Sequence, residues 1–236
     1  MAELPGARLV EMTLKADEED VPHDHPSHSM YFIKGGKLQI TDYESNGKSK
    51  ENPHAVEIPS GACPIFPAGA HQVNNIMARP RRSCSSSPRV NPIFPAGAHQ
   101  VKNVGTTEVK VLFVEPYLVC APCGEGGVLP GDWATPFAVA PECCTILAEN
   151  DDWITAELTM APGVADPLHY HKDHLMYVLE GDELTIFPNG EGDGMKVPLY
   201  SGKAVSAPMT APPFFKHIVK NSGSVPLKMI FFEMKK

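Results

Sequence analysis

The sequence has few basic residues, and it lacks any long apolar run. Its 236 residues include 20 Lys and Arg against 28 Asp and Glu, a formal net charge of -8. A negative balance disfavours binding to nucleic acids and to anionic membrane surfaces. No apolar stretch reaches the ~20 residues that a membrane helix needs, and the start of the chain lacks the apolar segment of a signal peptide. We therefore expect a cytoplasmic protein without nucleic-acid or membrane partners.

Cysteines are also scarce, and no long amphipathic helix is indicated. Six irregularly spaced cysteines are too few for a disulfide framework in a chain of this length. By contrast, 19 Gly and 24 Pro separate short segments that are rich in β-branched and aromatic residues. This punctuation is typical of many short strands joined by turns. The predicted fold class is all-β.

The chain contains a long internal repeat. Residues 10–40 align without gaps to residues 156–186, and eleven of the 31 positions are identical. Residues 99–115 align in the same way to residues 217–233. Because the first offset is 146 and the second is 118, the first half carries 28 extra residues. Two homologous halves are therefore predicted in one chain.

The extra residues come from a local duplication at about 64–103. The segment PIFPAGAHQV occurs at 64–73 and again at 92–101, and an Arg-, Ser- and Pro-rich stretch separates the copies. We predict an N-terminal domain over 1–118 that includes this duplication, a linker over 119–143, and a C-terminal domain over 144–236. Each half has about eight predicted strands, enough to close a small barrel or a double-sheet jelly roll.

Nine of the ten histidines fall in two matching patterns. Each half has His-x-His-x-x-His, followed by six residues and a Gly. Residues two apart on a strand point to the same face, so paired imidazoles can converge on one ion. The candidate ligands from these motifs are His23, His25, His28, His169, His171 and His174, and His217 closes the second set.

The duplication leaves two candidates for the fourth N-terminal ligand. His99 keeps the last hairpin and strand in the register of the C-terminal half, whereas His71 keeps the preceding turn in place. Short connections between adjacent strands are the usual case. This favours His99, with residues 63–90 looped out, and His71 stays as the alternative.

These motifs resemble those of the cupin superfamily, and their double occurrence resembles a bicupin. Cupins carry a Gly, His-x-His, a Glu and, after six further residues, another Gly; Pro-x-Gly, His and Asn follow after a variable spacer. The resemblance covers roughly residues 10–115 and 145–233. It implies two tandem double-stranded β-helix (jelly-roll) barrels. Activity is not implied, because cupins include dioxygenases, decarboxylases, isomerases, lyases, storage proteins and sensors.

The sequence departs from the cupin pattern where most cupins have the Glu. His28 and His174 stand there, so four neutral imidazoles would leave the full +2 charge on a divalent ion and favour an anionic ligand. Imidazole ligands suit Fe, Ni, Cu or Zn better than Mn. We expect one divalent transition metal per domain, iron first, with nickel, zinc or copper as alternatives.

The expected function is that of a metal-dependent bicupin enzyme acting on a small organic anion. Dioxygenation of an enolisable substrate, an oxidoreductase activity, is the first hypothesis. A redox-neutral isomerase, cyclase or lyase is the second, and a non-catalytic metal-binding, ligand-binding or storage protein is the third. The expected partner is a small-molecule anionic substrate, and homo-oligomers stay open.

Overall fold

Nearly all regular secondary structure in the described chain is β-strand, arranged in two units. The computed structural model describes residues 1–4, 6–23, 25, 28–43, 49–50, 53–66, 98–116, 134–151, 153–207 and 216–235. Its contacts divide it into a unit of Val10–Pro116 and a unit that combines Met1–Leu9 with Tyr117–Lys236. No helix in these ranges is long and apolar enough to cross a membrane. The all-β prediction is confirmed.

The N-terminal half consists of two sheets around one core. Its strands are β1 (Ala2–Leu4), β2 (Ala7–Leu14), β3 (His28–Lys34), β4 (Gly36–Asp42), β5 (His54–Ile58), β6 (Ile65–Phe66), β7 (His99–Asn103) and β8 (Val109–Pro116). The larger sheet has the order β2–β8–β3–β6 and the smaller one β5–β4–β7, while β1 pairs with the first residues of β2. Apolar side chains of both sheets, such as Phe32 and Leu38, form the core between them.

The C-terminal half repeats this arrangement. It contains the short helix α1 (Pro136–Val139) and strands β9 (Cys144–Glu149), β10 (Trp153–Met160), β11 (His174–Glu180), β12 (Glu183–Pro188), β13 (Met195–Pro198), β14 (Ala204–Ala207), β15 (His217–Asn221) and β16 (Leu227–Met234). The sheets have the orders β14–β11–β16–β10–β9 and β13–β12–β15. In β10, Ala156, Leu158 and Met160 are buried at alternate positions, as expected for a strand with one face on a core.

The glycine seven positions after each third histidine has a steric reason. Both β3 and β11 carry a register shift near their ends, between Phe32 and Lys34 and between Val178 and Glu180. A Cβ atom at Gly35 would overlap the carbonyl oxygen of Ile58. At Gly181, φ is 145° and a Cβ would lie 2.9 Å from a methyl group of Leu227. Only glycine fits here, because the chain turns against its neighbouring strand at close approach.

The two copies of the duplicated segment contribute different strands. Ile65 and Phe66 of the first copy form β6 and pair with Ser29 and His28. His99 of the second copy begins β7, which pairs with β4. Ile65 and Phe66 therefore belong to the sheet, and the expectation that the whole of 63–90 loops out is wrong. Sequence periodicity could not separate the copies because their letters are identical.

The second unit takes residues from both ends of the sequence. Strand β1, at the start of the chain, lies beside β14 and β11 of that unit. Residues 134–143 lie within the predicted linker, and there α1 packs through Phe137 against the C-terminal core. Ala140 and Cys143 are buried in the same cluster.

Candidate metal centres

Three histidines of the C-terminal half converge from two segments of the chain. His169 precedes β11, and His217 is the first residue of β15. Their backbones form an isolated antiparallel bridge with N···O distances of 3.0 and 2.9 Å. His171 follows two residues after His169, and each of the three rings offers one nitrogen within 4.8 Å of the others. All three side chains are buried.

Hydrogen bonds on the outer side of each ring determine which nitrogen faces inward. His169 donates from Nδ1 to the carbonyl oxygen of Pro167 at 2.8 Å. The Nδ1 atom of His171 lies 2.8 Å from Oε2 of Glu233, and an ionised carboxylate can only accept. In a neutral ring with its proton on Nδ1, the lone pair is on Nε2. Both Nε2 lone pairs then point into the centre.

The two inward Nε2 atoms lie so close together that their lone pairs need a cation between them. The Nε2 atoms of His169 and His171 are 3.1 Å apart. Lone pairs at this distance repel, whereas a cation between them would attract both. Neutral imidazoles are ligands that divalent transition metals prefer, so this donor set fits such an ion.

Burial keeps these imidazoles neutral. Loss of solvent lowers the pKa of His171 well below its usual 6.5, and neighbouring imidazoles lower it further. The pKa of His169 is lowered by burial as well. Since protonated imidazole cannot bind a metal, the low pKa values leave the lone pairs available.

His174, the third histidine of the motif, lies beside the group of three. Its ring centroid is 4.5 Å from that of His171, and Nδ1 donates to the carbonyl oxygen of Lys172 at 2.8 Å. Its Nε2 therefore carries the lone pair. Burial lowers the pKa of His174 to about 3. The group within 4.8 Å consists of the other three histidines, and His174 adjoins it.

Two carboxyl groups lie next to the outer Nδ1 atoms of the C-terminal histidines. Glu233 contacts Nδ1 of His171, and Oδ2 of Asp166 lies 3.6 Å from Nδ1 of His169. Asp166 also accepts the backbone N–H of Val219 at 2.6 Å. Burial raises the pKa of each carboxyl to about 7. A bound cation would oppose this shift and favour the ionised forms.

The N-terminal half has the same arrangement at His23, His25 and His99. The backbones of His23 and His99 form the matching bridge, with N···O distances of 2.9 and 2.7 Å. His23 donates from Nδ1 to the carbonyl oxygen of Val21 at 2.6 Å, and Nδ1 of His25 lies 2.9 Å from Oε2 of Glu115. The Nε2 atoms of His23 and His25 are 2.9 Å apart.

The two other N-terminal candidates, His28 and His71, are not part of this group of three. His28 is buried, with its ring centroid 4.6 Å from that of His25, in the place that His174 has in the second half. Asp20 takes the place of Asp166: its Oδ1 accepts the N–H of Val101 at 2.7 Å, and burial raises its pKa. His71 lies outside the described residues.

The two centres differ in the space beside them. A cavity of about 220 Å³ adjoins the C-terminal histidines, against about 40 Å³ at the N-terminal ones. The larger cavity is mostly apolar; its described lining is Pro136, Phe137, Cys144, Ala156, Leu158, Asp166, His169, His171, His174, Met176, Leu184, Ile186, His217, Val219, Met229 and Phe231. A single water occupies about 30 Å³ of liquid, so only the C-terminal centre has room for an organic molecule.

The sequence analysis did not identify the supporting carboxyl groups. Glu115 and Glu233, like Asp20 and Asp166, are identical residues at equivalent positions of the repeat. That identity was the available signal. The four carboxyl residues lie outside the histidine motifs. Only the fold places Glu115 of β8 and Glu233 of β16 next to the histidines.

Comparison with known proteins finds chains of similar structure. No protein-family model and no curated protein matches the sequence. AerE from Microcystis aeruginosa superposes with a TM-score of 0.57 at 11% identity, covering 98% of this chain and 88% of AerE. An oxalate decarboxylase from Bacillus subtilis gives 0.54 at 13% identity, covering 97% of this chain and 69% of that one. A cupin 2 conserved barrel domain protein from Leptotrichia buccalis gives 0.48 at 14% identity, covering 99% and 86%.

The resemblance expected from the histidine motifs is confirmed at the level of the fold. AerE and the oxalate decarboxylase are cupin proteins with TM-scores above 0.5, and both identities are below 25%, so they establish architecture alone. The chain has the all-β fold of two tandem cupin barrels, and each barrel holds a group of three histidines that could bind a metal ion.

Proposed function

We propose that this chain is a metal-dependent enzyme that acts on a small organic anion at its C-terminal centre. The observation that carries the proposal is the pair of inward Nε2 atoms of His169 and His171, 3.1 Å apart and next to a cavity of about 220 Å³. An ion at that point would be held by the protein on one side and would face the cavity on the other.

His169, His171 and His217 would hold the metal, and His174 is the candidate fourth ligand. Neutral imidazoles do not offset the ion's charge, so an anionic substrate would be attracted to it. Iron is our first choice, with nickel, zinc or copper as alternatives. The B. subtilis oxalate decarboxylase has Mn(II) centres, so manganese belongs in the same measurement.

Dioxygenation of an enolisable anion is the first reaction we propose. A divalent redox metal would supply Lewis-acid charge stabilisation and electron transfer with oxygen. The protein's own part is to orient the imidazoles through Glu233 and the Pro167 carbonyl oxygen. The apolar lining limits the water near the substrate.

A redox-neutral isomerisation or lyase reaction is the second candidate, and Asp166 favours it. Its carboxyl group lines the cavity, where a proton donor or acceptor would be needed. Oxygen uptake separates the two candidates, because only the first consumes oxygen.

Elemental analysis of the purified protein tests the metal assignment. We expect two equivalents of divalent metal per chain, and loss of about one in the variant His169→Ala/His171→Ala. His54 is the sequence's histidine outside both motifs, so His54→Ala is the matched control and should keep both equivalents. Unchanged stoichiometry in the double variant would contradict the proposal.

A further inference from the structure

We infer that the C-terminal centre takes an oxyanion with an apolar, ring-sized body and rejects anions that carry a second, remote negative charge, such as terephthalate. The inference rests on the proposed function and adds the substrate class. Its basis is the chemistry of the cavity wall, which the histidine motifs do not determine.

A metal bound by the histidines would be the positive charge beside a described lining that is mostly apolar. Among these described lining residues, the polar members are the four histidines, Asp166 and Cys144, and none is Lys or Arg. The first negative group of a ligand would bind the metal, but a second one, too far away to bind the same ion, would meet apolar side chains or the carboxyl group of Asp166. Burying that second charge without a partner is costly.

The volume indicates the size of the apolar body. A dry protein cavity of about 150 Å³ takes up benzene. The C-terminal cavity, at about 220 Å³, has room for a ring of that size together with a carboxylate directed at the histidines. Phe231 stacks on His171 with ring centroids 5.4 Å apart, so a flat apolar surface continues from the metal ligand into the cavity.

One pair of equivalent residues differs in size between the halves. Phe32 of β3 lines the small N-terminal cavity and pairs with Val111. Its counterpart in β11 is Val178, which pairs with Met229 of the large cavity and packs in the same core cluster as Leu158 and Phe231. A phenyl ring therefore fills the N-terminal half where the C-terminal half has two methyl groups.

The test is calorimetric titration of the metal-loaded full chain with benzoate, terephthalate and benzyl alcohol. We expect benzoate to bind with one equivalent per chain, at least tenfold more tightly than terephthalate or benzyl alcohol. In Val178→Phe, benzoate affinity should fall at least tenfold while the metal content stays at the wild-type value. The control Val225→Phe makes the same exchange at an exposed position outside the cavity lining and should leave benzoate binding unchanged.

The outcomes separate this inference from the proposed function. Terephthalate binding as tight as that of benzoate, two equivalents of benzoate, or unchanged benzoate affinity in a folded Val178→Phe would overturn the substrate class, even with normal metal content. Should Val178→Phe not fold, Ala156→Val narrows the cavity at a lining residue, with the residue that the N-terminal repeat already has at position 10. Failure of metal binding itself would instead overturn the proposed function.

Discussion

At the scale of single residues, the first two imidazoles of each motif are oriented by an acceptor on their outer side. The repeat uses a backbone carbonyl for the first histidine and a glutamate for the second in both halves. A carbonyl oxygen is fixed by the chain, whereas a glutamate can be exchanged. The glutamates are therefore the points at which metal affinity can be changed without removing a ligand.

Replacing Glu233 by Gln should weaken metal binding at the C-terminal centre by about 10- to 100-fold. The amide can still accept the His171 proton, but it lacks the charge that strengthens the ligand. Competition with a chromophoric chelator measures the affinity. The exposed Glu180→Gln is the control for the loss of one negative charge. Equal metal affinity in both variants would mean that the charge of Glu233 does not strengthen metal binding.

Cys144 should resist alkylation in the folded protein. Burial raises its pKa to about 12 from an ordinary 9.0. Because the thiolate is the reactive form, its fraction at pH 8 falls about a thousandfold. Peptide mapping after iodoacetamide treatment should find Cys144 unmodified in the native protein and modified in urea. Rapid native labelling of Cys144 would contradict this prediction.

At the scale of strands, the bridge between β7 and the first histidine decides which duplicated copy serves the N-terminal centre. His99 lies opposite His23 with two backbone hydrogen bonds. We predict that His99→Ala loses the N-terminal metal and that His71→Ala retains it. Metal analysis in the background of His169→Ala/His171→Ala isolates this centre. Metal loss in His71→Ala alone would reverse the assignment.

A shortened chain tests the division of the duplication between β6 and β7. Deleting residues 67–94 joins Phe66 to Pro95 and restores one uninterrupted PIFPAGAHQV. Both strands keep their residues, so we expect the variant to fold and to bind two metal equivalents. Circular dichroism and metal analysis measure the result; an unfolded N-terminal half would contradict it.

At the scale of the whole molecule, the two centres are unequally protected. The side chain of His23 is 28% exposed, whereas that of His169 is 1% exposed. Ligand exchange with a chelator requires access, so the N-terminal centre should release its metal first.

Dilution of the metal-loaded protein into excess EDTA should therefore show two phases of about one equivalent each. The slow phase should be absent from His169→Ala/His171→Ala, since that variant lacks the buried centre. Stopped-flow detection with a metal indicator follows the release. A single phase in the wild-type protein would show that exposure does not control the rate.

The sequence predicted the architecture because its two halves repeat each other. The spacing of the histidines, the turn residues and the short apolar segments all indicated the strands that the structure contains. The use of both duplicated copies was not predictable from identical letters. The difference in cavity size was also hidden, because it depends on how Phe32 and Val178 pack in three dimensions.

The position of β1 has a consequence for synthesis on the ribosome. Ala2–Leu4 lies beside β14, Ala204–Ala207, which is translated roughly 200 residues later. At about 5–20 residues per second, this strand waits on the order of 10–40 s for its neighbour. Val10–Pro116 emerges in full during that interval. The first barrel can therefore fold while the nascent chain is still growing, whereas the second cannot be completed until its last strands are translated.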